Sequence, residues 1–257
     1  NISVLQSHGN ILIAPQSGEL ASGLTGMGRL EEPSEILATV QNYFGKEQSL
    51  TNRRVLITSG PTVEPIDPVR FISNYSTGKM GKALAIEAAR RGAEVIFVSG
   101  PVNDYPQHNA VKIIKVNTAA KMLESCLANF ADCDIVIAAA AVADYTPLQI
   151  SNEKIKKDEN IFDLKLQKTT DILAKLGKLK SNQFLVGFAL ENSKNKLKSK
   201  NLNLIILNSL NDPGAGFGFD TNHVKVLDTD FQINDLGLKS KTETASLIFD
   251  SILAKLA

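Results

Sequence analysis

From residue 54 onward the chain repeats one pattern: a short apolar run, a break marked by glycine or polar residues, then a stretch with helical spacing. Residues 55–59 (VLITS), 94–99 (EVIFVS) and 134–141 (DIVIAAAA) carry no polar alternation, and 184–188 and 204–208 are short runs of the same kind. A strand with one face in water alternates polar with apolar side chains, so runs like these need cover on both faces, as in a parallel sheet. Segments 79–91, 118–130, 169–179 and 242–256 have the spacing to be the covering helices, with Gly92 as a stop for the first. Residues 112–116 read as a further strand. The prediction is an α/β fold: a doubly wound, mainly parallel, Rossmann-like sheet with helices on both faces.

Less regular stretches surround this pattern. Residues 162–167 (FDLKLQ) alternate as a half-buried strand would, and 224–233 reads as a hairpin. Ahead of residue 54, residues 11–15 (ILIAP) read as a strand, 16–33 as a loop and 34–44 as a helix, and the polar stretch 46–53 reads as a linker. The expected organisation is therefore a fragment over 1–45, a linker over 46–53 and one large domain over 54–257.

Composition narrows the function classes. The net charge of +1 gives no general attraction to nucleic acid or an anionic membrane, so an anion site must be built locally. No apolar run reaches the ~18 residues of a membrane span, and no basic-then-apolar leader opens the chain, so a cytoplasmic location is expected. Cys126 and Cys133 form no CxxC pair and have no histidine beside them, which argues for reduced, partly buried thiols over a zinc site. No nucleophile–histidine–acid arrangement and no metal-ligand spacing stand out, and metal ligands stay unassigned.

The connection after the first strand carries the most chemistry. An ordinary strand-to-helix loop has about 2–6 residues. This one runs from Gly60 to Gly78 and is stiffened by Pro61, Pro65 and Pro68. Long, stiff loops at the carboxyl end of a parallel sheet build sites. Its end, Ser76-Thr77-Gly78-Lys79, opens a helix whose free amides and dipole would cradle an anion; the plain alternative is an N-cap made by Ser76 or Thr77. The sequence is neither GxGxxG nor a Walker A loop. Asn74, just before the cradle, has a carboxamide able to donate to a developing oxyanion; the alternative is a turn residue.

Two more groups are candidates. The small residues Ala138, Ala139 and Ala140 would let a flat ligand reach backbone N–H and C=O groups, and Asp144 offers a carboxylate to ribose hydroxyls or an amine. Close helix–sheet packing and a cap are the alternatives. Lys154, Lys156 and Lys157, with Lys194, Lys196, Lys198 and Lys200, are cations that a triphosphate would need, or a solvated surface.

Taken in order, VLITSGPTVEPIDPVRFISNYSTGKMGKALA, IAAAAVADYTP, EKIKK, KTTDIL and LVGFALE resemble the phosphopantothenate–cysteine ligase family over about residues 53–257. That resemblance implies condensation of 4′-phosphopantothenate with L-cysteine through an acyl-cytidylate, driven by CTP with Mg²⁺, in a dimer closed by a flap around Lys154. It implies that Asn74 serves conversion of the acyl-cytidylate. It assigns nucleotide binding to Ala138–Ala140, Asp144, Lys154, Thr170, Asp171, Ile172, Leu173, Phe188, Lys196 and Lys200. Between Phe188 and Lys200 the chain is several residues shorter than the family pattern, which bears on Lys196 more than on Lys200. GNILIAPQSGELASGLTGMGRLEEPSEI resembles the tail of a flavin-dependent decarboxylase domain; FMN would belong to that domain's body. Where that domain's clamp carries a cysteine, this chain has Ala21-Ser22-Gly23, so decarboxylation by this chain alone is not expected. The competing readings are an NAD(P)-dependent oxidoreductase, which needs the missing GxGxxG, and a non-catalytic nucleotide-binding subunit. ATP or UTP in place of CTP is not separable from the sequence.

Overall fold

The computed structural model describes the chain except residues 8–9, 20–24, 47–48, 157–161, 190–193, 209–215, 217 and 257. It divides into two compact units, Asn1–Ser49 and Leu50–Ala257.

The first unit holds α1 (Ile2–Ser7), β1 (Gln16–Glu19), β2 (Thr25–Arg29) and α2 (Pro33–Lys46). β1 and β2 pair antiparallel, with an irregular register between Gln16 and Ser17. Two expectations are corrected here. Residues 11–15 form no strand; Ile11 and Leu12 are about half exposed and Pro15 lacks an N–H. The segment 16–33, expected as loop, contains the β1–β2 ribbon and the start of α2, because cross-strand pairing overrides the poor strand propensity of Gly18, Gly26 and Gly28.

The second unit runs β3 (Arg54–Ser59), β4 (Val63–Pro65), β5 (Phe71–Ser73), α3 (Lys79–Arg90), β6 (Glu94–Ser99), β7 (Val111–Lys115), α4 (Ala119–Phe130), β8 (Ile135–Ala138), β9 (Tyr145–Pro147), β10 (Leu166–Lys168), α5 (Ile172–Leu179), β11 (Phe184–Ala189), α6 (Lys194–Ser199), β12 (Leu204–Asn208), β13 (Thr221–Asp228), β14 (Ile233–Ser240) and α7 (Lys241–Leu256). The main sheet has eight strands in the order β14-β13-β12-β11-β8-β3-β6-β7. β7 through β12 in that order are parallel, and β13 and β14 close one edge antiparallel. This is the expected doubly wound α/β architecture.

Alternate side chains of the buried strands go to opposite faces. Val55, Ile57, Val95, Phe97, Ile135 and Ile137 pack with residues of α3 and α7 in one core. Leu56, Val98, Val136 and Leu185 pack with residues of α4 and α5 in the other. Arg91, at the end of α3, is buried and locks the first layer. Its Nε donates to Glu87 at 2.8 Å, Nη2 donates to the Ser246 carbonyl at 2.9 Å, and Nη1 pairs with Asp250 at 2.9 Å.

Three element boundaries differ from the sequence reading. The strand expected at 134–141 stops at Ala138, and the small residues beyond it leave the regular ladder while still contacting the end of β3, including a bridge between Ala141 and Pro61. The strand expected at 162–167 is only Leu166–Lys168, in a two-stranded ribbon with β9. Its alternation suggested burial, but Phe162 and Leu166 are 53% and 44% exposed, since an isolated ribbon has no second layer. The hairpin expected at 224–233 is longer, spanning β13 and β14.

Candidate functional site

The strand order reverses at β3. β6 and β7 follow on one side of it, while β8 and β11 lie on the other. The connections leaving β3 and β8 head for strands on opposite sides of the sheet, and the carboxyl end of such a switch point is where open α/β sheets take ligands.

The β3–α3 connection is not a free loop. It folds on itself as the β4–β5 ribbon and is pinned by buried polar side chains. Glu64 accepts from the Ala119 N–H at 2.8 Å and so satisfies the first turn of α4. Thr62 donates its N–H to the Ala141 carbonyl and accepts from the Ala143 N–H at 3.0 Å. Gly100 is what lets Pro61 pass: a Cβ there would sit 1.7 Å from the Pro61 carbonyl oxygen. Asp67, fully buried, accepts from the Val69 and Arg70 amides, both at 2.8 Å, and from the Arg70 guanidinium at 2.9 and 2.5 Å. The Arg70 guanidinium, helped by those amides, holds the Asp67 carboxyl well below the usual carboxylate range despite burial.

At the end of this connection α3 begins without a side-chain cap. Gly78 is the N-cap residue, at φ 74°, a left-handed conformation that suits glycine. Neither Ser76 nor Thr77 makes the cap that was the plain alternative; the Ser76 hydroxyl reaches only the Gly78 N–H, at 3.4 Å. Gly81 brings the first turn down on β3, since a Cβ there would sit 2.3 Å from the Ser59 hydroxyl. The result is a helix N-terminus fixed against the strand end with no side-chain cap, the kind of end suited to an anion. The Lys79 side chain turns aside: its ammonium donates to the Gly218 carbonyl at 2.9 Å and pairs with Asp220 at 2.7 Å. That ammonium holds the Asp220 carboxyl below its usual pKa. Lys79 thus joins the cradle through its backbone, not its charge.

Asn74 bridges the loops that follow β3 and β8. Its amide nitrogen donates to the Ala141 and Val142 carbonyls, both at 3.1 Å. Both amide protons are spent, so the carboxamide presents Oδ1, an acceptor, where the sequence suggested a donor. The backbone of the alanine segment is corrected in the same way. Ala139 donates to the Thr58 carbonyl at 3.3 Å and Ala140 to the Thr58 hydroxyl at 3.2 Å, so reading a base edge through those two amides would disrupt the sheet end. Asp144 is exposed, and its carbonyl accepts the Thr169 N–H at 2.9 Å, which ties the next segment to this one.

That segment forms a second corner. Asp171 caps α5, accepting from the Ala174 N–H at 2.9 Å, and pairs with Lys200 at 2.6 Å. Burial works to raise the Asp171 carboxyl, but Lys200 and the Ala174 amide more than reverse it, and its pKa lies below the usual value. Two candidate nucleotide residues therefore engage each other. Ile172 is buried and Leu173 packs over Gly187, while Phe188 lies one position beyond Gly187, the partner of Ala138 across the ladder. Thr170 is exposed at the mouth of a 570 Å³ cavity lined also by Glu64, Thr118, Leu123, Ile150 and Thr169. Lys154 and Lys196 are exposed. Lys157 and the side chain of Lys194 lie outside the described residues, as do Ala21, Ser22 and Gly23.

Sequence reasoning singled out the cradle, Asn74 and the alanines but passed over Thr58, Thr62, Glu64, Asp67 and Arg70. The available signal was polar residues inside apolar strand ends and an acid–base pair three apart in a proline-stiffened loop. The thiols are structural: burial pushes Cys126 up to about 12 and Cys133 up to about 11, far from the reactive thiolate range. Among the described residues no cluster of three His, Cys, Asp or Glu could hold a metal ion, and no helix is long and apolar enough to cross a membrane.

Residues 50–256 match the family described as the DNA/pantothenate metabolism flavoprotein C-terminal domain. The coenzyme A biosynthesis bifunctional protein CoaBC of Bacillus subtilis (strain 168) is 45% identical over 262 residues, covering 99% of this chain and 64% of the relative. A cysteine/cysteine sulfinic acid decarboxylase from an unknown prokaryotic organism is 52% identical over 264 residues, covering 98% of this chain and 74% of that relative. Among solved structures, the C-terminal domain of a coenzyme A biosynthesis bifunctional protein CoaBC is 43% identical, covers 80% of this chain and 98% of that one, and superposes with a TM-score of 0.70. The chain thus spans a little under two thirds of the Bacillus CoaBC relative.

Proposed function

We propose that this chain, which belongs to the DNA/pantothenate metabolism flavoprotein C-terminal domain family, ligates 4′-phosphopantothenate to L-cysteine, with CTP activating the carboxylate. The single observation that carries the reading is the uncapped N-terminus of α3 at the switch point, with Asn74 clamped beside it to the alanine segment. The relatives named CoaBC support the same chemistry.

In the first step a carboxylate oxygen of phosphopantothenate attacks the α-phosphorus of CTP. The new O–P bond forms as the α–β bridging bond breaks, and pyrophosphate leaves. In the second step the neutral amine of cysteine attacks the acyl carbon; the C–N bond forms, the C–O bond to the nucleotide breaks, CMP leaves and the amine proton passes to solvent. The α3 amides suit the phosphate oxygens of either substrate. Asn74 Oδ1 suits an N–H of the attacking amine, holding its lone pair toward the acyl carbon. The alanine segment and Phe188 offer a flat surface for the base, and Asp144, Thr170 and the α5 cap offer polar partners. Lys154, Lys196 and Lys200 are the cations for the polyphosphate, with Lys200 exchanging Asp171 for phosphate. The described residues supply no cage for Mg²⁺, so it would arrive on the nucleotide phosphates, its usual mode, and no step is assigned to it.

On this reading a second copy is the partner, and residues 1–45 are the end of a flavin-dependent decarboxylase domain. The test is pyrophosphate release by the purified chain with Mg²⁺, phosphopantothenate and each of CTP, ATP, UTP and GTP, with and without cysteine. Release with CTP, dependent on phosphopantothenate and followed by CMP when cysteine is added, is expected. CDP and orthophosphate instead would overturn it.

A further inference from the structure

The segment after β9 carries Lys154, and it is held by an element not assigned to the site: the tip of the β4–β5 ribbon. Asp67 there is buried, and five donors converge on its two oxygens. Oδ1 accepts from the Val69 and Arg70 amides, and Oδ2 accepts from Nε and Nη2 of Arg70 and from the Ile155 N–H at 3.2 Å. Arg70 Nη2 also donates to the Ile155 carbonyl at 2.7 Å. Both backbone polar groups of Ile155, the residue next to Lys154, are therefore gripped by one ion pair. Two further contacts extend the grip: Ser151 donates its N–H to the Ile66 carbonyl at 3.0 Å, and Arg70 lies 5.9 Å from the centre of the Phe162 ring.

We infer that Asp67 is a positioning residue that docks the 151–156 segment and thereby sets where Lys154 meets the nucleotide polyphosphate. The inference rests on the proposed function for the role of Lys154. The ribbon carrying Asp67 also leads directly to Asn74 and the cradle, so one ion pair mechanically joins the carboxylate-activating loop to the segment that would cover the nucleotide. The carboxylate is specifically required. An amide at position 67 must turn its NH₂ either toward the Val69 and Arg70 amides or toward Arg70 and Ile155, and in both cases donor faces donor.

The test compares wild type, Asp67→Asn and Phe162→Ala in the full chain. Phe162 is 53% exposed, so its truncation leaves the fold intact while loosening Arg70. Amide hydrogen exchange on the ligand-free chain should show Ile155 exchanging about tenfold or more faster in Asp67→Asn, as loss of a charge-assisted hydrogen bond implies. The β3 amides should keep their protection, and Phe162→Ala should give a smaller change of the same sign. Steady-state kinetics should then show KM for CTP rising about tenfold in Asp67→Asn with kcat within about twofold. In a Lys154→Ala background the same substitution should add nothing to KM. Unchanged Ile155 exchange overturns the inference. So does an equal loss of kcat with unchanged KM, or an effect that persists in full without Lys154. Failure of the ligase reading itself looks different: no CTP turnover in wild type, with Ile155 exchange still accelerated in Asp67→Asn.

Discussion

The two corners of the site are made of different materials. At the β3–α3 corner the functional groups are uncharged: the backbone amides at the head of α3 and a single side-chain carboxamide pinned to two carbonyls. Nothing there needs to move, because close packing at Gly81 and Gly100 fixes the chain path. At the α5 corner the functional groups are charged side chains, and in the ligand-free chain they neutralise one another, Asp171 with Lys200 at 2.6 Å. On the proposed function the first corner is preorganised for an anion, and the second exchanges an internal partner for the ligand. Geometry should therefore dominate catalysis at the first corner, and affinity should be set at the second.

The largest effect expected from that contrast is on turnover. In Asn74→Asp a carboxylate oxygen replaces the NH₂ that faces two carbonyls, so the side chain swings out and the acceptor is misplaced. Ligation should fall about 10²–10³-fold, the scale of losing one well-placed polar contact in a transition state. The acyl-cytidylate should accumulate, as read by rapid quench and mass spectrometry. Wild-type turnover would make Asn74 a turn residue only.

Next is stability at the same corner. Gly81→Ala places a Cβ where the Ser59 side chain sits, and overpacking of this kind costs about 1–3 kcal/mol. Denaturant titration should show that loss together with loss of ligation. A variant that is destabilised yet fully active would contradict a rigid cradle.

Smaller effects are expected at the α5 corner. Lys200→Ala should raise KM for CTP about tenfold, or ~1.4 kcal/mol, while changing stability by no more than about 1 kcal/mol, because partly exposed ion pairs contribute little. Its acid behaviour sharpens the point. The folded pKa of Asp171 is depressed, so the pair's contribution is present above the unfolded carboxylate value of about 3.9 and is lost as pH falls through the lower folded value. The small difference in thermal midpoint between wild type and Lys200→Ala should hold at about pH 6 and shrink as pH falls below about 3.9 toward the lower folded value of Asp171. A gap that widens in acid would contradict a favourable Asp171–Lys200 pair.

The same contrast explains what the sequence could reveal. The parallel core was legible because VLITS and EVIFVS permit only double-faced burial, and the start of α3 was legible because a proline-stiffened loop ending at Gly78 delivers a helix N-terminus. Local chemistry decides both. What was not legible depends on distant partners. The direction of the Asn74 amide is set by carbonyls 67 and 68 residues away, and the Asp67 grip reaches Ile155, 88 residues on. The 162–167 alternation misled because period-two patterning does not say whether a second layer exists to cover it. The β1–β2 ribbon was missed because its glycines read as loop until paired.

The central claim is that the carboxylate oxygen bonds to the α-phosphorus before cysteine attacks. Phosphopantothenate labelled with ¹⁸O in both carboxylate oxygens tests it directly. The oxygen that attacks phosphorus stays there when the C–O bond breaks, so one label should appear in CMP and none in pyrophosphate, read by mass spectrometry or the isotope shift of the phosphorus resonance. Label in orthophosphate, or unlabelled CMP alongside amide product, would contradict the account.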